Sequence, residues 1–299
     1  MRIKKTHVCT GHRAALYALA PGADARHILS AGGDGWIVSW DLDDPETGQL
    51  VASVETRVFA LCTLPGGKRL VAGNMNGGIH WITLGDPEAT RNIQHHQKGV
   101  FDLLYVNGSV FSAGGEGTLT RWDAENCRSV ESFQLSNTSL RCIAWAPGRK
   151  RLAVGASDGT IYLLESDTLA LLQQLSAAHA PSVFTLAWSP DERFLLSGGR
   201  DAMLRVWDAH EGFRLHSEQP AHWFTLNHLV FAPDGALFAT ASRDKTIKIW
   251  DAATFQLLKV IDVLRDGGHV NSVNRLLWLP DCLVSASDDR SVILWKRVD

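Results

Sequence analysis

Histidine, hydroxyl, carboxylate and tryptophan side chains recur together at fixed distances along this 299-residue sequence. In the stretch TASRDKTIKIWD (240–251), Thr240 lies four residues before Asp244, and Trp250 lies six residues after it. His222 lies 22 residues before the same carboxylate. A hydroxyl, an imidazole and a carboxylate are the components of a hydrolase triad, in which the imidazole takes the proton of the attacking hydroxyl. The first question is therefore whether these residues catalyse a reaction or support the fold.

The same set of side chains occurs five times, at nearly the same spacing each time. The sets are His12, Ser30, Asp34 and Trp40; His96, Ser112, Glu116 and Trp122; His179, Ser197, Asp201 and Trp207; His222, Thr240, Asp244 and Trp250; and His269, Ser285, Asp289 and Trp295. An enzyme needs one catalytic site, whereas a repetitive scaffold needs one support per module. A buried polar group also needs hydrogen-bond partners whatever its function. The fivefold recurrence therefore favours a structural role.

These sets belong to a repeat that covers almost the whole chain. The aligned stretches are SAGGDGWIVSWD (30–41), VAGNMNGGIHWI (71–82), SAGGEGTLTRWD (112–123), VGASDGTIYLLE (154–165), SGGRDAMLRVWD (197–208), TASRDKTIKIWD (240–251) and SASDDRSVILWK (285–296). Their closing positions are Trp40, Trp81, Trp122, Leu164, Trp207, Trp250 and Trp295, with spacings of 41 to 45 residues. Apolar and polar residues alternate within each unit, and turn-forming residues follow at short intervals, which is typical of β-strands. The sequence therefore predicts an all-β fold of seven units.

One segment has a composition that conflicts with this pattern. Residues 168–180, TLALLQQLSAAHA, are rich in the helix-forming residues Leu, Ala and Gln. The segment nevertheless occupies the place of the fourth strand in its unit. Because strand formation depends strongly on context, we predict a strand there.

Seven units of about 43 residues with four strands each resemble the WD-repeat β-propeller family. The resemblance covers residues 1–299 and rests on the register of seven copies. It implies one domain, a seven-bladed β-propeller of four-stranded antiparallel blades. It also implies that each His–Ser/Thr–Asp/Glu–Trp set, which we call a brace, forms one network inside its blade. There the imidazole would join the acid to the hydroxyl, and the tryptophan N–H would find a partner.

The two ends of the chain suggest how the ring closes. The last unit stops three strands into its blade, and residues 1–10 precede the first complete unit without a blade of their own. In the family, the N-terminal segment supplies the missing outer strand of the last blade. We therefore predict that Ile3–Thr10 pairs with Val292–Val298.

Two units depart from the brace pattern. The second unit has Val54, Val71 and Met75 at the positions of the histidine, the hydroxyl and the acid, and it keeps only Trp81. The fourth unit has Ser136, Val154 and Leu164 but keeps Asp158, which we expect to cap a turn. Mostly apolar replacements avoid a half-satisfied buried network.

Residues at exposed, variable positions of the repeat are the candidates for function. In the family, the narrower top face around the central channel commonly binds peptide segments. That face is built from the residue before the acid and from the third and fifth residues after the histidine. The resulting partner-binding candidates are Tyr17, Arg57, Phe59, Phe101, Arg141, Phe184, Arg200, Arg243 and Asp288. Aromatic residues and arginine are enriched in binding hot spots, and arginine can hold a carboxylate or phosphate through two hydrogen bonds.

The resemblance thus implies a non-catalytic scaffold for protein–protein interaction. We expect its partner to be a protein or peptide segment with acidic or phosphorylated residues and apolar residues. We also expect the chain to be monomeric on its own and to join a larger complex. The bland alternative is that the aromatic residues only close the channel and the arginines pair with neighbouring acids.

The composition argues against several other classes of protein. A net charge of −3 and a pI near 6.4 give no surplus of basic residues for nucleic-acid binding. The five cysteines are scattered without a C-x-x-C pair, which predicts neither disulfides nor a zinc site. We found no signal peptide, no apolar stretch long enough for a membrane helix and no phosphate-binding loop. We therefore predict a cytoplasmic protein without a metal, a cofactor or a membrane partner.

A propeller enzyme, or a small-ligand binder with its site in the central channel, remains the alternative function. Such a site needs convergent acids, histidines or metal ligands at the channel mouth. Among the candidate positions on the top face, only Asp288 is acidic and none is histidine.

Overall fold

The computed structural model of the chain describes residues 1–298 and contains seven four-stranded antiparallel sheets. Each sheet forms one blade. Blade 1 comprises β2 (Leu16–Pro21), β3 (His27–Gly32), β4 (Trp36–Asp41) and β5 (Gln49–Ser53). Blade 2 comprises β6 (Val58–Thr63), β7 (Arg69–Asn74), β8 (Gly78–Thr83) and β9 (Arg91–Gln94). Blade 3 comprises β10 (Val100–Val106), β11 (Ser109–Gly114), β12 (Thr118–Asp123) and β13 (Arg128–Gln134). Blades 4 and 5 comprise β14 (Leu140–Ala146), β15 (Arg151–Ala156), β16 (Ile161–Glu165) and β17 (Leu171–Leu175); and β18 (Val183–Trp188), β19 (Phe194–Gly199), β20 (Met203–Asp208) and β21 (Arg214–Pro220). Blade 6 comprises β22 (Leu226–Phe231), β23 (Leu237–Ser242), β24 (Ile247–Asp251) and β25 (Leu257–Ile261).

The N-terminal strand completes the last blade. Strand β1 (Arg2–Cys9) pairs antiparallel with β28 (Val292–Val298), next to β27 (Leu283–Ser287) and β26 (Val273–Trp278). The predicted seven-bladed propeller and its closure by the N-terminal strand are therefore confirmed, although the strand ends at Cys9 rather than at Thr10.

Within the described residues 1–298, helical structure is confined to short connections. These are two 3-10 turns, Pro87–Ala89 and Ala209–Glu211, and one short helix, α1 (Val263–Asp266). The helix-like segment 168–180 contains the strand β17, as the repeat predicts. Among residues 1–298, no helix is both long enough and apolar enough to cross a membrane.

The hydrophobic core is divided into seven clusters, and each cluster joins two neighbouring blades. The cluster between blades 6 and 7, for example, contains Ile249, Ile293 and Trp295 together with Ile3 from β1. A blade therefore buries its apolar faces only against its neighbours. Such quasi-repetitive architectures depend on every interface, including the one that closes the ring.

The second blade corrects the sequence alignment by one residue. The closing tryptophan of blade 6 pairs with Phe238, and the equivalent partner of Leu70 in blade 2 is Ile82 rather than Trp81. A shift of one residue along a strand moves a side chain to the other face of the sheet. Trp81 accordingly packs toward blade 3, with its ring centre 6.2 Å from that of Trp122.

The turn of blade 2 shows the same shift. In all seven blades the residue after the acid position has a left-handed backbone, and the residues are Gly35, Gly77, Gly117, Gly159, Ala202, Lys245 and Arg290. Gly77 marks Asn76, not Met75, as the acid position of blade 2. The residue before the acid is therefore Met75 in that blade, and the sequence-based assignments of Val71, Met75 and Trp81 were wrong.

We predict that ring closure depends on the buried face of β1. Ile3 is 7% exposed within the cluster of blades 6 and 7, so Ile3→Ala should lower the free energy of unfolding by about 2–5 kcal/mol. Val8 lies on the same strand but is 42% exposed, so Val8→Ala is the matched control. Thermal unfolding of both variants checks the prediction, and equal melting temperatures would contradict the proposed closure.

Candidate functional site

The brace of blade 6 is a continuous chain of hydrogen bonds. The indole Nε1 of Trp250 lies 2.9 Å from Oγ1 of Thr240, and that hydroxyl lies 2.8 Å from Nε2 of His222. The other ring nitrogen, Nδ1, lies 2.9 Å from Oδ2 of Asp244. The four side chains therefore form one network that runs from the strand tryptophan to the turn.

The direction of each hydrogen bond follows from the chemistry of its ends. The indole N–H can only donate and an ionised carboxylate can only accept. Thr240 therefore accepts from Trp250 and donates to Nε2 of His222, whose Nδ1–H donates to Asp244. A neutral imidazole with its proton on Nδ1 satisfies every polar group in the chain.

The other four braces repeat this geometry. The acid lies 2.5 to 2.9 Å from Nδ1, the hydroxyl lies 2.7 or 2.8 Å from Nε2, and the tryptophan Nε1 lies 2.8 or 2.9 Å from the hydroxyl. A backbone N–H from the loop after the histidine also donates to each acid, and these donors belong to Arg13, Lys98, Ala180, Trp223 and Val270.

Burial makes the brace hydroxyls unsuitable as nucleophiles. The hydroxyl residues are 0% exposed, and they are Ser30, Ser112, Ser197, Thr240 and Ser285. A catalytic hydroxyl must reach a substrate beside an oxyanion hole. Each hydroxyl oxygen here instead accepts the indole N–H of its own blade. The geometry supports the structural interpretation of the repeated sets.

The ionisation of the brace follows from the same contacts. Burial lowers the pKa of His222 below its ordinary value, and the hydrogen bond and charge of Asp244 offset only part of this effect. Burial alone would raise the pKa of Asp244. The hydrogen bonds from His222, Thr246 and the backbone N–H of Trp223 outweigh burial and hold the pKa of Asp244 well below its ordinary range. The network is thus held with a carboxylate and a neutral ring at neutral pH.

Blade 2 replaces the brace with a different polar network, which the sequence analysis missed. The amide Nδ2 of Asn74 lies 2.9 Å from Nε2 of His80 and 2.7 Å from Glu55. Its Oδ1 accepts from the backbone N–H groups of Asn76 and Gly78, so Asn74 closes the turn that the acid closes elsewhere. The polar residues Asn74 and His80, one on each side of the turn, were the signal in the sequence for this network. The alignment error of one residue in blade 2 hid it.

Blade 4 keeps a reduced network. Ser136 occupies the histidine position and donates to Asp158, with 2.7 Å between the oxygens. Asp158 also accepts from the backbone N–H of Thr160, so the expected turn-capping role of this carboxylate is present. The apolar residues Val154 and Leu164 are 0% exposed and pack in the cluster between blades 3 and 4.

Seven β-bulges create the mouth of the central channel. The innermost strand of every blade has a register shift at the fifth residue after the histidine position. A bulge leaves one residue unpaired and bends the strand, which re-aims that side chain. The seven bulge residues line one cavity of about 230 Å³ with Arg275, and they are Tyr17, Phe59, Phe101, Arg141, Phe184, Asn227 and Asn274. We call this cavity the channel mouth.

One side of the channel mouth is a run of aromatic rings in contact, edge-to-face between Tyr17 and Phe59 and stacked between Phe59 and Phe101. The ring centres of Tyr17 and Phe59 are 5.3 Å apart, and those of Phe59 and Phe101 are 5.4 Å apart. The guanidinium of Arg141 follows, 4.1 Å from the Phe101 ring and 5.5 Å from the Phe184 ring. Cation–π contacts of this kind are attractive. The four predicted aromatic residues and Arg141 are therefore brought together, but Arg141 lies between rings and not on the open surface.

Arg141 is a cation without a carboxylate partner among residues 1–298. Its Nε donates to the hydroxyl of Ser157, 2.8 Å away. Burial lowers the pKa of Arg141 below its ordinary value, although a guanidinium stays protonated throughout the physiological range. The remaining donors of this half-buried side chain are available to an anionic or carbonyl group in the mouth.

The opposite side of the mouth is closed by amides. Asn227 donates to the backbone carbonyl of Val273, 2.9 Å away, and Asn274 donates to that of Leu16, 2.8 Å away. Asn274 also donates to Asp288 at 2.7 Å. These bonds connect blades 6, 7 and 1. Asp288, the single acid among the candidates, is exposed but accepts a hydrogen bond from within the chain.

Below the mouth lie charged residues that the sequence analysis missed. Arg275 reaches across the channel to Asp102, with 3.2 Å between Nη2 and Oδ1. Asp102 also accepts the backbone N–H of Ile143 at 2.8 Å, and Nδ1 of His228 accepts that of Leu276 at 3.2 Å. These residues follow the bulges directly, and each one ties its blade to another blade. The signal in the sequence was their common position, one residue after the mouth residues.

Three of the candidate arginines lie on the top face outside the mouth. Arg57, Arg200 and Arg243 are exposed, and no ion pair involves them among residues 1–298. Their backbones are fixed: the N–H of Arg200 donates to Ser182, and that of Arg243 donates to Thr225. The alternative in which these arginines pair with local acids therefore does not hold. In the same described part of the chain, no group of three or more potential metal ligands occurs.

Comparisons with known proteins agree with this geometry. The family model for the WD domain, G-beta repeat, matches residues 3–41, 127–164, 170–208, 213–251 and 258–296. The crystal structure of the WD40 β-propeller domain of Doa1 superimposes with a TM-score of 0.86, covers 99% of this chain and 98% of that one, and is 20% identical in sequence. At this identity the likeness to Doa1 shows a shared fold alone.

Two relatives by sequence match shorter parts of the chain. WD repeat-containing protein 90 of Xenopus tropicalis is 33% identical over 101 residues, which are 30% of this chain and 6% of that protein. The guanine nucleotide-binding protein G(I)/G(S)/G(T) subunit beta-1 of Homarus americanus is 23% identical over 165 residues, which are 54% and 48% of the two chains. The matched region is thus less than half the length of either relative.

We predict that the hydrogen bonds of the brace hydroxyl contribute more to stability than the shape of the Thr240 side chain. Thr240→Val preserves volume but leaves the N–H of Trp250 and Nε2 of His222 unpaired, which should cost about 1–3 kcal/mol of stability. Thr240→Ser keeps the hydroxyl that four other braces use, so it is the matched control. Thermal unfolding should rank wild type, Ser and Val in decreasing order, and a Val variant more stable than the Ser variant would contradict the network.

Stability should also fall in acid. The pKa values of the brace histidines His12, His179 and His222 lie below their ordinary value, as do those of Asp34, Asp201, Asp244 and Asp289. Both kinds of group bind protons more weakly in the folded chain, so unfolding takes up protons. The melting temperature should decrease below about pH 6.5 as unfolded histidines protonate, and further below about pH 4 through the aspartates. A melting temperature that rises between pH 6.5 and pH 5 at constant ionic strength would show the opposite linkage.

Proposed function

The chain belongs to the WD-repeat family, whose propellers are generally protein-interaction scaffolds, and we propose that it binds a segment of another protein on its top face without catalysing a reaction. The segment would carry acidic or phosphorylated residues together with apolar residues. We further propose that the chain is monomeric on its own, works within a larger complex and resides in the cytoplasm. The last point is supported by its five free cysteines, four of them buried.

The observation that carries this proposal is the separation of braced and free side chains. The repeating polar residues are buried in networks inside the blades. The varying residues at the bulges and turns, in contrast, converge on the channel mouth and the surface around it. Side chains that the fold does not require, on rigid elements and around one cavity, suit a binding site.

The chemistry of these free residues indicates the kind of partner. Arg57, Arg200 and Arg243 are exposed without ion pairs, and Arg141 has no carboxylate partner. Arginine forms paired hydrogen bonds with carboxylates and phosphates. The contacting rings of Tyr17, Phe59 and Phe101 offer apolar contact beside these cations. An acidic or phosphorylated segment with apolar side chains would satisfy both.

A propeller enzyme or small-ligand binder is the second candidate, and the channel itself favours considering it. Asp102, His228 and Arg275 lie beneath the mouth, and acids and histidines are the usual proton-transfer groups. Each of the three is already engaged by a backbone group or by another of the three. Their contacts connect blades and leave no pair aimed at a shared reacting atom. We therefore favour the interaction scaffold.

The test is affinity capture from the native source, in which wild type is compared with Arg200→Glu/Arg243→Glu. The charge reversal should abolish capture of the direct partner, because the two introduced glutamates would repel its acidic or phosphorylated residues. Arg128→Glu/Arg214→Glu is the matched control, since these exposed arginines begin outer strands β13 and β21. Phosphatase treatment of the source distinguishes phosphorylated from acidic partners. Undiminished capture by the top-face variant would refute the proposal.

A further inference from the structure

Trp223 is the most conspicuous residue that neither the braces nor the channel mouth explains. It lies in the loop between β21 and β22, directly after the brace histidine, and its side chain is 87% exposed. The next residue, Phe224, is 60% exposed. Large apolar side chains rarely stand free in a cluster unless they bind something.

The fold requires the backbone of Trp223 but not its side chain. Its N–H donates to Asp244 at 3.0 Å. The equivalent residues of blades 1, 5 and 7 make the same bond and are Arg13, Ala180 and Val270. Any residue with a backbone N–H would serve. The aromatic side chain is therefore free of a structural demand.

The loop that carries the two aromatic residues is held rigidly between two turns. The N–H of His222 donates to Ala202 in the turn of blade 5, and the carbonyl of Phe224 accepts from Ser242 in the turn of blade 6. Arg200 belongs to the first turn, and Arg243 and Lys245 belong to the second. Trp223 and Phe224, which we call the Trp223 patch, are thus flanked by basic residues on both sides.

The basic residues beside the Trp223 patch are in surplus. The two brace carboxylates nearby each interact with a cation of their own. Arg205 lies 2.8 Å from Asp201, and Lys248 interacts electrostatically with Asp244. Arg200, Arg243 and Lys245 are exposed and take part in no ion pair among residues 1–298. The patch is therefore apolar at its centre and positive at its edges.

We propose that the Trp223 patch is a second docking site, which holds a bulky apolar side chain of an acidic peptide segment. Charge complementarity selects the acidic flanks, and the two exposed rings select the apolar anchor. Trp and Arg are the residue types that dominate binding hot spots. This inference rests on the proposed function and adds to it a specific place and a specific residue type in the partner.

The patch lies close to the channel mouth along the chain. Phe224 lies three residues before Asn227, which lines the mouth, and three residues span at most roughly 10 Å. An extended segment could therefore place one apolar side chain at the mouth and another, three or four residues away, on the Trp223 patch. An anionic membrane is the other surface that attracts aromatic and basic residues. Two exposed rings on one short, hydrogen-bonded loop suit contact with one apolar side chain better than insertion into a bilayer.

The experiment is selection of binders from a library of random twelve-residue peptides displayed against the purified full-length chain. The enriched peptides should contain Leu, Phe or Trp flanked by Asp or Glu. Their affinities, measured by fluorescence polarisation, should fall at least tenfold in Trp223→Ser/Phe224→Ser. Gln97→Ser is the matched control, because Gln97 is exposed directly after the brace histidine of blade 3. It should change affinity less than twofold.

The outcomes separate this inference from the proposed function. Loss of binding in Arg200→Glu/Arg243→Glu with full binding in Trp223→Ser/Phe224→Ser would overturn the second docking site and leave the acidic-segment proposal standing. Full binding in both variants would contradict both. The absence of any enriched peptide would overturn the second docking site, while the capture experiment with Arg200→Glu/Arg243→Glu decides the proposed function separately. Binding to vesicles of 70% phosphatidylcholine and 30% phosphatidylserine that depends on Trp223, without any enriched peptide, would assign the patch to membranes and overturn the inference.

Discussion

The need to satisfy the polar groups buried in the five braces is the constraint on which this structure depends. A strand tryptophan brings an indole N–H into the apolar space between blades, and that N–H needs an acceptor. A hydroxyl accepts it, and the hydroxyl then needs its own acceptor, which the imidazole supplies. The Nδ1–H of the imidazole needs an acceptor in turn, which is the carboxylate at the turn. Each brace therefore ends where polar groups can also meet backbone N–H donors from the next loop, and the network fixes the turn and the loop against each other.

This arrangement separates stability from recognition within one repeat. The braces hold the backbone of the top-face loops and turns, so neighbouring side chains are free to vary without loss of the fold. The bulges have a comparable effect at the channel, because each one aims a side chain that no ladder hydrogen bond constrains. Blade 6 shows the result clearly: Asp244 is committed to His222, while Arg243 beside it and Trp223 across from it face solvent. A set of residues that resembles a catalytic triad thus supports the surface that we propose for binding.

Much of the fold could be predicted because its determinants are local and repeated. The spacing of histidine, hydroxyl, acid and tryptophan is visible in five units. The last unit has only three strands of its own, which indicates that β1 supplies the fourth. Blade 2 could not be aligned correctly from the sequence. Trp81 is an aromatic residue one position before the true closing position, and apolar residues on both faces of the strand do not show which face Trp81 occupies. Asn74 and His80 close the turn of blade 2 with different chemistry, and the buried Nε1 of Trp81 has no hydrogen-bond partner. A search for the same residue types therefore passes over them.

The channel residues could not be predicted for a different reason. Asp102 and Arg275 are 173 residues apart and meet only because the ring closes, so no local pattern pairs them. The convergence of the mouth residues was predictable from their equivalent positions, but their contacts were not. Arg141 was expected on an open surface and instead lies between Phe101 and Phe184, since stacking on two rings compensates for its loss of water. Sequence position thus predicts which side chains meet, whereas packing decides which of them remain exposed.

The directional brace is the central claim, and the nitrogen-15 NMR spectrum of the brace imidazoles tests it most directly. The account predicts that the five brace imidazoles carry a proton on Nδ1, and that His12, His179 and His222, whose pKa values burial lowers, are neutral at pH 7. Each Nδ1–H should show a coupling or exchange protection that reports its hydrogen bond to the acid. Brace imidazoles with the proton on Nε2, or charged at pH 7, would mean that the hydroxyl cannot accept from tryptophan and donate to histidine at once, and the account would be wrong.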